Sequence, residues 1–281
     1  MRFVKMHGIG NDYVFMDSFT GSMPNDPSRL AIRMSRAHFG IGSDGLIFIT
    51  PSDVADARMR IFNADGSEAQ TCGNGLRCVG KYLYEAGLCE ADFMTVETAA
   101  GVRALELDVQ RGKVRSVTVD MGEPRLRPGE IPVIADGERA VDLPLEALGQ
   151  SLRFTCVSMG NPHAVTFDRM PDDAQFYALG PAYERHPAFP QRANIEFARV
   201  DGDRIHVRVW ERGSGETMAC GSGACAVLVA AAITGRSGRR MDVALPGGTL
   251  RVDWRANNRV YLTGPAVTVF TGEWLDDGTE D

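Results

Sequence analysis

The sequence predicts an α+β protein made of two similar units, each with a curled sheet around a central helix. The main observation is a repeat without gaps, in which residues 60–75 recur as residues 208–223. Each copy has a cysteine, Cys72 or Cys220, followed by a Gly-rich turn and an apolar run with helical spacing. Alternating polar and apolar stretches, typical of strands, flank that run in both copies. The repeat therefore indicates two matched units that carry two matched thiols.

In the first half, short strands surround two helices. Asp26 followed by Pro27 suits the N-cap and first turn of a helix, which we expect to run to about Ala37. Gly87 is placed to end the helix that follows Cys72. A Gly-rich bend over residues 7–12 separates the first two strands. Strands are predicted at 3–6, 13–17, 46–49, 59–62, 102–109 and 114–120.

The second half repeats this plan. Residues 224–233, after Cys220, are apolar on all sides, which indicates a helix that is buried all round, and Gly235 is placed to end it. Two further helical segments are predicted near 173–178 and 181–185. Strands are predicted at 195–200, 205–210, 242–245, 249–254, 260–263 and 266–270.

These elements divide the chain into two domains. We predict an N-terminal α+β domain over residues 1–120 and a C-terminal α+β domain over residues 121–263. A return strand within 264–274 is expected to rejoin the first domain. The linker is expected at 122–128, where Gly and Pro interrupt the pattern.

Composition limits the classes of function. The 281 residues, 44% hydrophobic and 24% charged, are typical of a globular protein with a packed core. The net charge of −7 argues against nucleic acid or an anionic membrane as a partner. The longest apolar run, 224–233, is too short to cross a bilayer, and the N-terminus does not resemble a signal peptide. We therefore expect a cytoplasmic protein with reduced cysteines.

The two repeated cysteines suit acid–base chemistry. Each lies directly before a predicted helix N-terminus, where backbone N–H groups and the helix dipole stabilise a thiolate, so we expect lowered pKa values. The Gly-rich turns after Cys72 and Cys220 leave N–H groups that can hold a carboxylate. Inverting a carbon beside a carboxylate requires an acid/base group on each of its faces. A racemase or epimerase reaction fits this arrangement.

Other interpretations of the cysteines stay open. A single cysteine before a helix is more often an inert packing residue, and Cys72 and Cys220 could instead form a disulfide. A zinc site of Cys72, Cys78 and His163 has poor spacing. A protein that binds an amino acid through its helix ends, without chemistry, is the alternative from another class. The other cysteines are expected to be packing residues: Cys78, Cys89, Cys156 and Cys225.

Four asparagines lie in turn-like contexts beside the repeated motifs: Asn11, Asn63, Asn161 and Asn194. Asparagine suits such turns for structural reasons alone, but its recurrence here favours contacts with a substrate.

The repeat breaks where Glu211 and Arg212 replace Asn63 and Ala64, as an asymmetric ligand requires. A guanidinium is suited to hold a carboxylate with two hydrogen bonds. His163 is either a core histidine or a group that tunes a nearby cysteine. No lysine lies in a motif suited to a Schiff base, so no pyridoxal cofactor is expected.

Six short motifs follow one another along nearly the whole chain. They are residues 6–12, 62–68, 72–75, 158–163, 211–213, and Glu216 with 219–224. In this order they resemble the diaminopimelate epimerase family. The resemblance implies an enzyme that interconverts LL- and meso-diaminopimelate without a cofactor, in lysine and peptidoglycan precursor biosynthesis. It also implies two strand barrels, each around a central helix, that close on a small-molecule substrate, and a homodimer.

The resemblance further implies roles for individual residues. Cys72 and Cys220 would be the acid/base pair, and His163 and Glu211 would modulate their pKa values; no metal is implied. Gly45 stands where some members have a glutamine contact, and Phe270 where some have a tyrosine associated with dimerisation. Related two-cysteine proteins that act on proline, hydroxyproline or phenazine precursors are the rival enzymes. The implied substrate contacts are Asn11, Asn63, Gly73, Asn74, Asn161, Asn194, Glu211, Arg212, Gly221 and Ser222.

Overall fold

The computed structural model describes residues 1–19, 23–70 and 72–275. Within these residues, eighteen strands and four α-helices follow one another along the chain. The strands of the first half are β1 (Arg2–Gly8), β2 (Asn11–Asp17), β3 (Gly45–Thr50), β4 (Ala57–Asn63), β5 (Glu68–Ala69), β6 (Phe93–Thr98), β7 (Gly101–Gln110) and β8 (Lys113–Gly122). Those that follow are β9 (Leu143–Ala147), β10 (Gln150–Ser158), β11 (Pro162–Thr166), β12 (Asn194–Asp201), β13 (Arg204–Glu211), β14 (Gly215–Glu216), β15 (Arg240–Leu245), β16 (Gly248–Trp254), β17 (Val260–Gly264) and β18 (Val267–Glu273). The helices are α1 (Pro27–Ser35), α2 (Gly73–Glu85), α3 (Asp173–Glu184) and α4 (Gly221–Ile233).

The chain folds into two compact units. The first contains residues 1–119 and the chain from 264 onward, and the second contains residues 120–263. No helix in the described parts of the chain is both long and apolar enough to cross a membrane.

The first unit is a curled sheet around α2. Its strand order is β18–β1–β2–β3–β4–β6–β7–β8, with β5 paired to β4. Neighbours are antiparallel except for β2–β3 and β4–β6, which are parallel. Parallel neighbours need a crossover connection, and α1 and α2 supply the two crossovers. Helix α2 contacts β1, β2 and β7, so the sheet wraps around it.

The second unit has the same order of elements. Its strand order is β9–β10–β11–β12–β13–β15–β16–β17, with β14 paired to β13. The parallel pairs are β11–β12 and β13–β15, and α3 and α4 supply their crossovers. Strands β10, β11, β12, β13, β15 and β16 all contact α4. The predicted α+β class, with a repeated sheet around a central helix, is confirmed.

The two central helices begin and end where the sequence predicts. Cys72 and Cys220 are their N-cap residues. Just after each helix, Gly87 and Gly235 have φ angles of 71° and 70°, which glycine adopts at little cost. Residues 223–231 of α4 are all buried, which confirms that this helix is covered on all sides.

Two predicted details of the helices differ from the structure, and several strands were not predicted. The segments 173–178 and 181–185 form one helix, α3, that continues through Pro181. Phe176, Leu179 and Tyr183 bury the same face of α3 in the core of the second unit, and this packing outweighs the helix-breaking tendency of proline. Helix α1 ends at Ser35, before Ala37. Six strands were not predicted from the sequence: β5, β6, β9, β10, β11 and β14.

Candidate active site

Cys72 caps the N-terminus of α2. Its backbone is extended, with φ −144° and ψ 114°, and its sulfur accepts a hydrogen bond from the Gly75 N–H at 3.3 Å. The first N–H groups of the helix come from Gly73, Asn74 and Gly75. The partial positive charge at this helix end favours an anion.

Asn11 holds its amide oxygen against the Cys72 thiol. The thiol donates to Asn11 Oδ1 at 3.4 Å, and Asn74 Nδ2 donates to the same oxygen at 3.2 Å. Asn11 Nδ2 donates to Asp44 Oδ2 at 2.7 Å. Because Asp44 takes the amide nitrogen, the amide oxygen of Asn11 points to the sulfur.

Asp44 is a site residue that the sequence analysis missed. Burial raises the pKa of its carboxyl group, while hydrogen bonds from the Asp12 N–H and from Asn11 oppose this change. Lys5 forms an ion pair with Asp12 next to it. The available sequence signal was the acidic residue that follows the Gly-rich turn 40–43.

Side-chain hydrogen bonds between residues of the repeat hold the turn that precedes Cys72. Asn63 Nδ2 donates to Ser67 Oγ at 3.0 Å, so the Asn63 side chain is engaged within this turn. Arg60 forms two hydrogen bonds to Glu68, from Nε at 2.7 Å and from Nη2 at 2.9 Å. In the second unit, Arg208 and Glu216 form the equivalent ion pair at 2.8 Å. These repeated Arg–Glu pairs brace the chain that leads to each cysteine.

Cys220 caps α4 in the same way as Cys72 caps α2. Its sulfur accepts from the Gly223 N–H at 3.4 Å and lies 3.6 Å from Ser222 Oγ. The Glu211 carboxylate is near enough for its negative charge to act on the thiol. The Thr217 hydroxyl donates to Glu211 and holds it in place.

The expectation of a lowered pKa is wrong for Cys220. Burial raises the pKa of this thiol well above its ordinary value, and the negative charges of Glu211 and Glu196 add to the effect. Hydrogen bonds from Ser222 and from the Gly223 N–H act in the opposite direction but do not outweigh it. Burial also raises the pKa of Glu211.

His163 is connected to Cys220 through two side chains. Its Nε2 lies 3.0 Å from Asn161 Oδ1, and Asn161 Nδ2 donates to Ser222 Oγ at 3.3 Å. The other ring nitrogen, Nδ1, lies 2.6 Å from Glu196 Oε1. His163 and Glu196 are both fully buried.

The sequence analysis did not single out Glu196. The available signal was a charged residue between Ile195 and Phe197 in a predicted strand. All three side chains are buried in the structure.

Asn194 supports the backbone before Arg212. Its Oδ1 accepts from the Arg212 N–H at 2.8 Å, and its Nδ2 donates to the Pro162 carbonyl at 2.9 Å. The buried Glu184 accepts from the Gly213 N–H at 3.0 Å. Both polar ends of the Asn194 amide thus hold the segment that contains Glu211 and Arg212.

The predicted site residues form one group in each unit. Asn63 is the last residue of β4, Asn194 is the first residue of β12, and Arg212 lies in the turn after β13. The first unit brings together Cys72, Gly73, Asn74 and Asn11, and the second brings together Cys220, Gly221, Ser222, Asn161, His163 and Glu211.

The other cysteines have different surroundings. Burial raises the pKa values of Cys78 and Cys156 to about 12, which makes these thiols unreactive. Cys225 is buried and Cys89 is partly exposed. Within residues 1–19, 23–70 and 72–275, no disulfide forms and no cluster of three His, Cys, Asp or Glu side chains could hold a metal ion.

Gly45 lies against the backbone of the neighbouring strand. A Cβ at this position would clash with the Phe62 carbonyl oxygen and would approach the Tyr13 ring to 3.0 Å. A glutamine at position 45 would therefore require the main chain to move.

The fold is shared with several racemases and epimerases of known structure. A probable proline racemase from Agrobacterium radiobacter superposes with a TM-score of 0.72 at 16% identity, over 98% of this chain and 93% of that one. A hydroxyproline epimerase from Agrobacterium vitis gives a TM-score of 0.70 at 18% identity, over 97% and 90% of the two chains. This chain therefore shares its fold of two similar α+β units with these proteins.

Sequence comparison defines the family within this fold. The family model for diaminopimelate epimerase matches residues 3–127 and 155–269. A diaminopimelate epimerase from Acetivibrio thermocellus is 53% identical over 275 residues, 97% of this chain and 98% of that protein. One from Methanococcus maripaludis is 48% identical over 97% and 99% of the two chains. The chain belongs to the diaminopimelate epimerase family and is an isomerase.

Proposed function

We propose that this isomerase interconverts LL- and meso-diaminopimelate, with Cys72 and Cys220 as its two acid/base groups. The observation that carries the proposal is that two equivalent helices are each capped by a cysteine. Each thiol contacts a polar side chain of its own unit, Asn11 for Cys72 and Ser222 for Cys220. Family membership supports diaminopimelate as the substrate.

The two thiols start the reaction in different protonation states. Burial and the neighbouring carboxylates raise the pKa of Cys220, so this residue enters as the proton donor. Cys72 first gives up to solvent the proton that it donates to Asn11 Oδ1, and as the thiolate it then removes the α-proton from one face of the carbon. Cys220 then delivers its own proton to the opposite face, and the carbon is inverted. The product complex has a Cys72 thiol and a Cys220 thiolate, which is the starting state for the reverse reaction.

The helix N-termini bind the carboxylate next to the reacting carbon. Negative charge develops on this carboxylate as the α-proton leaves, and preorganised N–H donors stabilise it. Gly73 and Asn74 supply these donors at α2, and Gly221 and Ser222 supply them at α4. We assign the other amino acid end of the substrate to the donors and acceptors of Asn11, Asn63, Asn161, Asn194, Glu211 and Arg212.

The proposal includes the setting of the reaction. The enzyme works without a cofactor, since two thiols complete both proton transfers. His163 and Glu211 modulate the pKa of Cys220, and the reaction serves lysine and peptidoglycan precursor biosynthesis in the cytoplasm.

We also propose that the protein is a homodimer formed through β18. Val267, Val269 and Phe270 are 40%, 54% and 45% exposed on this strand. An exposed apolar strand of this kind favours association with a second copy. Light scattering should give twice the monomer mass, and Val269→Glu should lower it. A monomeric wild-type protein would refute this assembly.

A substrate panel tests the function. Under reducing conditions the protein should epimerise LL-diaminopimelate, and should leave proline, hydroxyproline and glutamate unchanged. Cys72→Ala and Cys220→Ala should each lose activity by about 10²–10⁴-fold, the usual contribution of an acid/base group. Cys89→Ala, a partly exposed cysteine outside both helix N-termini, is the matched control and should keep wild-type activity.

Two results would refute the proposed function. Racemisation of proline would assign the chain to another reaction of this fold. Binding of diaminopimelate without exchange of its α-proton for solvent deuterium would identify an amino-acid-binding protein.

A further inference from the structure

A line of hydrogen bonds in the second unit connects a buried carboxylate to Cys220. Its order is Glu196 Oε1, His163 Nδ1 and Nε2, Asn161 Oδ1 and Nδ2, Ser222 Oγ and Cys220 Sγ. The four successive distances are 2.6, 3.0, 3.3 and 3.6 Å. We call these five residues the Glu196 relay.

Both ring nitrogens of His163 face oxygen atoms that accept hydrogen bonds. Nδ1 faces the Glu196 carboxylate, and Nε2 faces the Asn161 amide oxygen. A histidine that donates from both nitrogens is doubly protonated and positively charged. The second carboxylate oxygen, Oε2 of Glu196, is buried and has no hydrogen-bond partner among the described residues. The His163 ring is therefore the group that balances the Glu196 charge.

The protonation of His163 decides how the Asn161 amide is turned. A ring that donates from Nε2 requires the amide oxygen of Asn161 on its side. The amide nitrogen then faces Ser222 and donates to its hydroxyl oxygen. Because this oxygen has accepted a hydrogen bond, the Ser222 proton is directed to the Cys220 sulfur.

We propose that Glu196 is a positioning residue for Cys220: by pairing with His163 Nδ1 it keeps a proton on His163 Nε2, and this proton, through Asn161, directs the Ser222 hydroxyl to the sulfur. The importance of Cys220 for turnover rests on the proposed function. The hydrogen bonds of the relay, and their effect on the Cys220 thiol, do not depend on it.

The hydrogen bond from Ser222, at the end of the relay, opposes the other influences on the pKa of Cys220. Burial raises the pKa of this thiol, and so do the negative charges of Glu211 on β13 and Glu196 on β12. The Ser222 hydrogen bond lowers it. His163 lies on β11, and the Cys156 thiol of β10 is also within range of the Glu196 charge. A test must therefore separate the charge of Glu196 from its hydrogen bond.

Two nearly isosteric variants make this separation. Glu196→Gln and Glu196→Met both remove the charge and fill about the same volume. A glutamine can donate to His163 Nδ1 and keep the proton on Nε2, whereas methionine leaves Nδ1 without a partner. Asp168→Asn is the control, because Asp168 pairs with Arg153 outside the relay.

The readouts do not depend on turnover. Alkylation of each cysteine by iodoacetamide is followed against pH by peptide mass spectrometry, with Cys72 as the internal reference. The midpoint for Cys220 should lie about one pH unit higher in Glu196→Met than in Glu196→Gln, which is the effect of one hydrogen bond to a thiolate. The alkylation midpoint of Cys72 should stay the same in both Glu196 variants. The midpoint of Cys220 should stay the same in Asp168→Asn.

NMR of wild-type protein with ¹⁵N-labelled histidine tests the same proposal without any substitution. His163 should show two ring N–H protons at pH 7. Equal Cys220 midpoints in the two Glu196 variants, or a single ring proton on His163, would overturn the proposal. If the relay behaves as expected but diaminopimelate is not epimerised, the proposed function fails and the relay stands.

Discussion

Replacing Gly223 by alanine tests how closely the groups around Cys220 are packed. A Cβ at position 223 would lie 2.9 Å from Glu196 Oε1 and 3.1 Å from Cys220 Sγ. Both distances are shorter than an ordinary van der Waals contact. Glu196 cannot easily move away, because it is fully buried and its Oε1 is held by His163 at 2.6 Å. We therefore expect the sulfur of Cys220 to be displaced by a few tenths of an ångström.

The size of the effect follows from these contacts. Overpacking costs about 1–3 kcal/mol, and replacing glycine by alanine in a helix returns up to about 1 kcal/mol. The free energy of unfolding should therefore fall by about 0–3 kcal/mol. A shift of 1 Å at a reacting group can cost about 10²-fold, so a smaller shift should lower kcat by about tenfold.

Gly75→Ala is the matched control, because Gly75 occupies the equivalent position of α2. Its Cβ would meet the terminal methyl of Ile47 at 2.7 Å but would lie 3.7 Å from Cys72 Sγ. Since the methyl can move and the sulfur need not, kcat should stay within about threefold of wild type. Initial rates on LL-diaminopimelate and urea unfolding provide the two measurements. Wild-type activity in Gly223→Ala, or an equal loss of activity in both variants, would refute this reasoning.

Three further substitutions test the charges and the core. Glu211→Gln removes a negative charge that raises the pKa of Cys220, so the midpoint for alkylation of Cys220 should move to lower pH; an upward shift would contradict this. The Arg60 hydrogen bond lowers the pKa of Glu68 below its ordinary value of 4.5, so its stabilisation is present above that pH and is lost as pH falls through the lowered value. Glu68→Gln should therefore cost under about 1 kcal/mol in urea unfolding at pH 7 and nothing in strong acid, because the pair is partly exposed. Leu228→Ala, in the centre of α4, should cost about 2–5 kcal/mol, and a loss below 1 kcal/mol would contradict the buried position of this helix.

The fold was largely predictable because its main signals are local. Gly87 and Gly235 mark the ends of α2 and α4, and the apolar run 224–233 has no polar side to face water. Strand β9 was not predicted because its Leu-Pro-Leu-Glu-Ala sequence lacks a regular strand pattern. The continuity of α3 through Pro181 depends on packing against the core of the second unit, which no local pattern describes.

The candidate site was predictable where residues that can carry out acid–base chemistry occupy equivalent positions of the internal repeat. Cys72 and Cys220 stand out because both precede a helix at equivalent positions of the repeat. Asp44 and Glu196 were missed because each acts through another side chain that is distant in sequence, 33 residues away in both cases. The raised pKa of Cys220 was also missed, because burial and nearby carboxylates depend on tertiary structure.

The distribution of solvent deuterium during the first turnovers tests the two-thiol mechanism most directly. The wild-type enzyme is given LL-diaminopimelate in deuterium oxide, and the recovered substrate and the meso product are analysed by mass spectrometry. If one thiol removes the proton and the other delivers one from the opposite face, the product carries one deuterium while the remaining substrate carries none. Substrate that gains deuterium as fast as product would show that a single group removes and returns the proton, and would contradict the two-thiol mechanism.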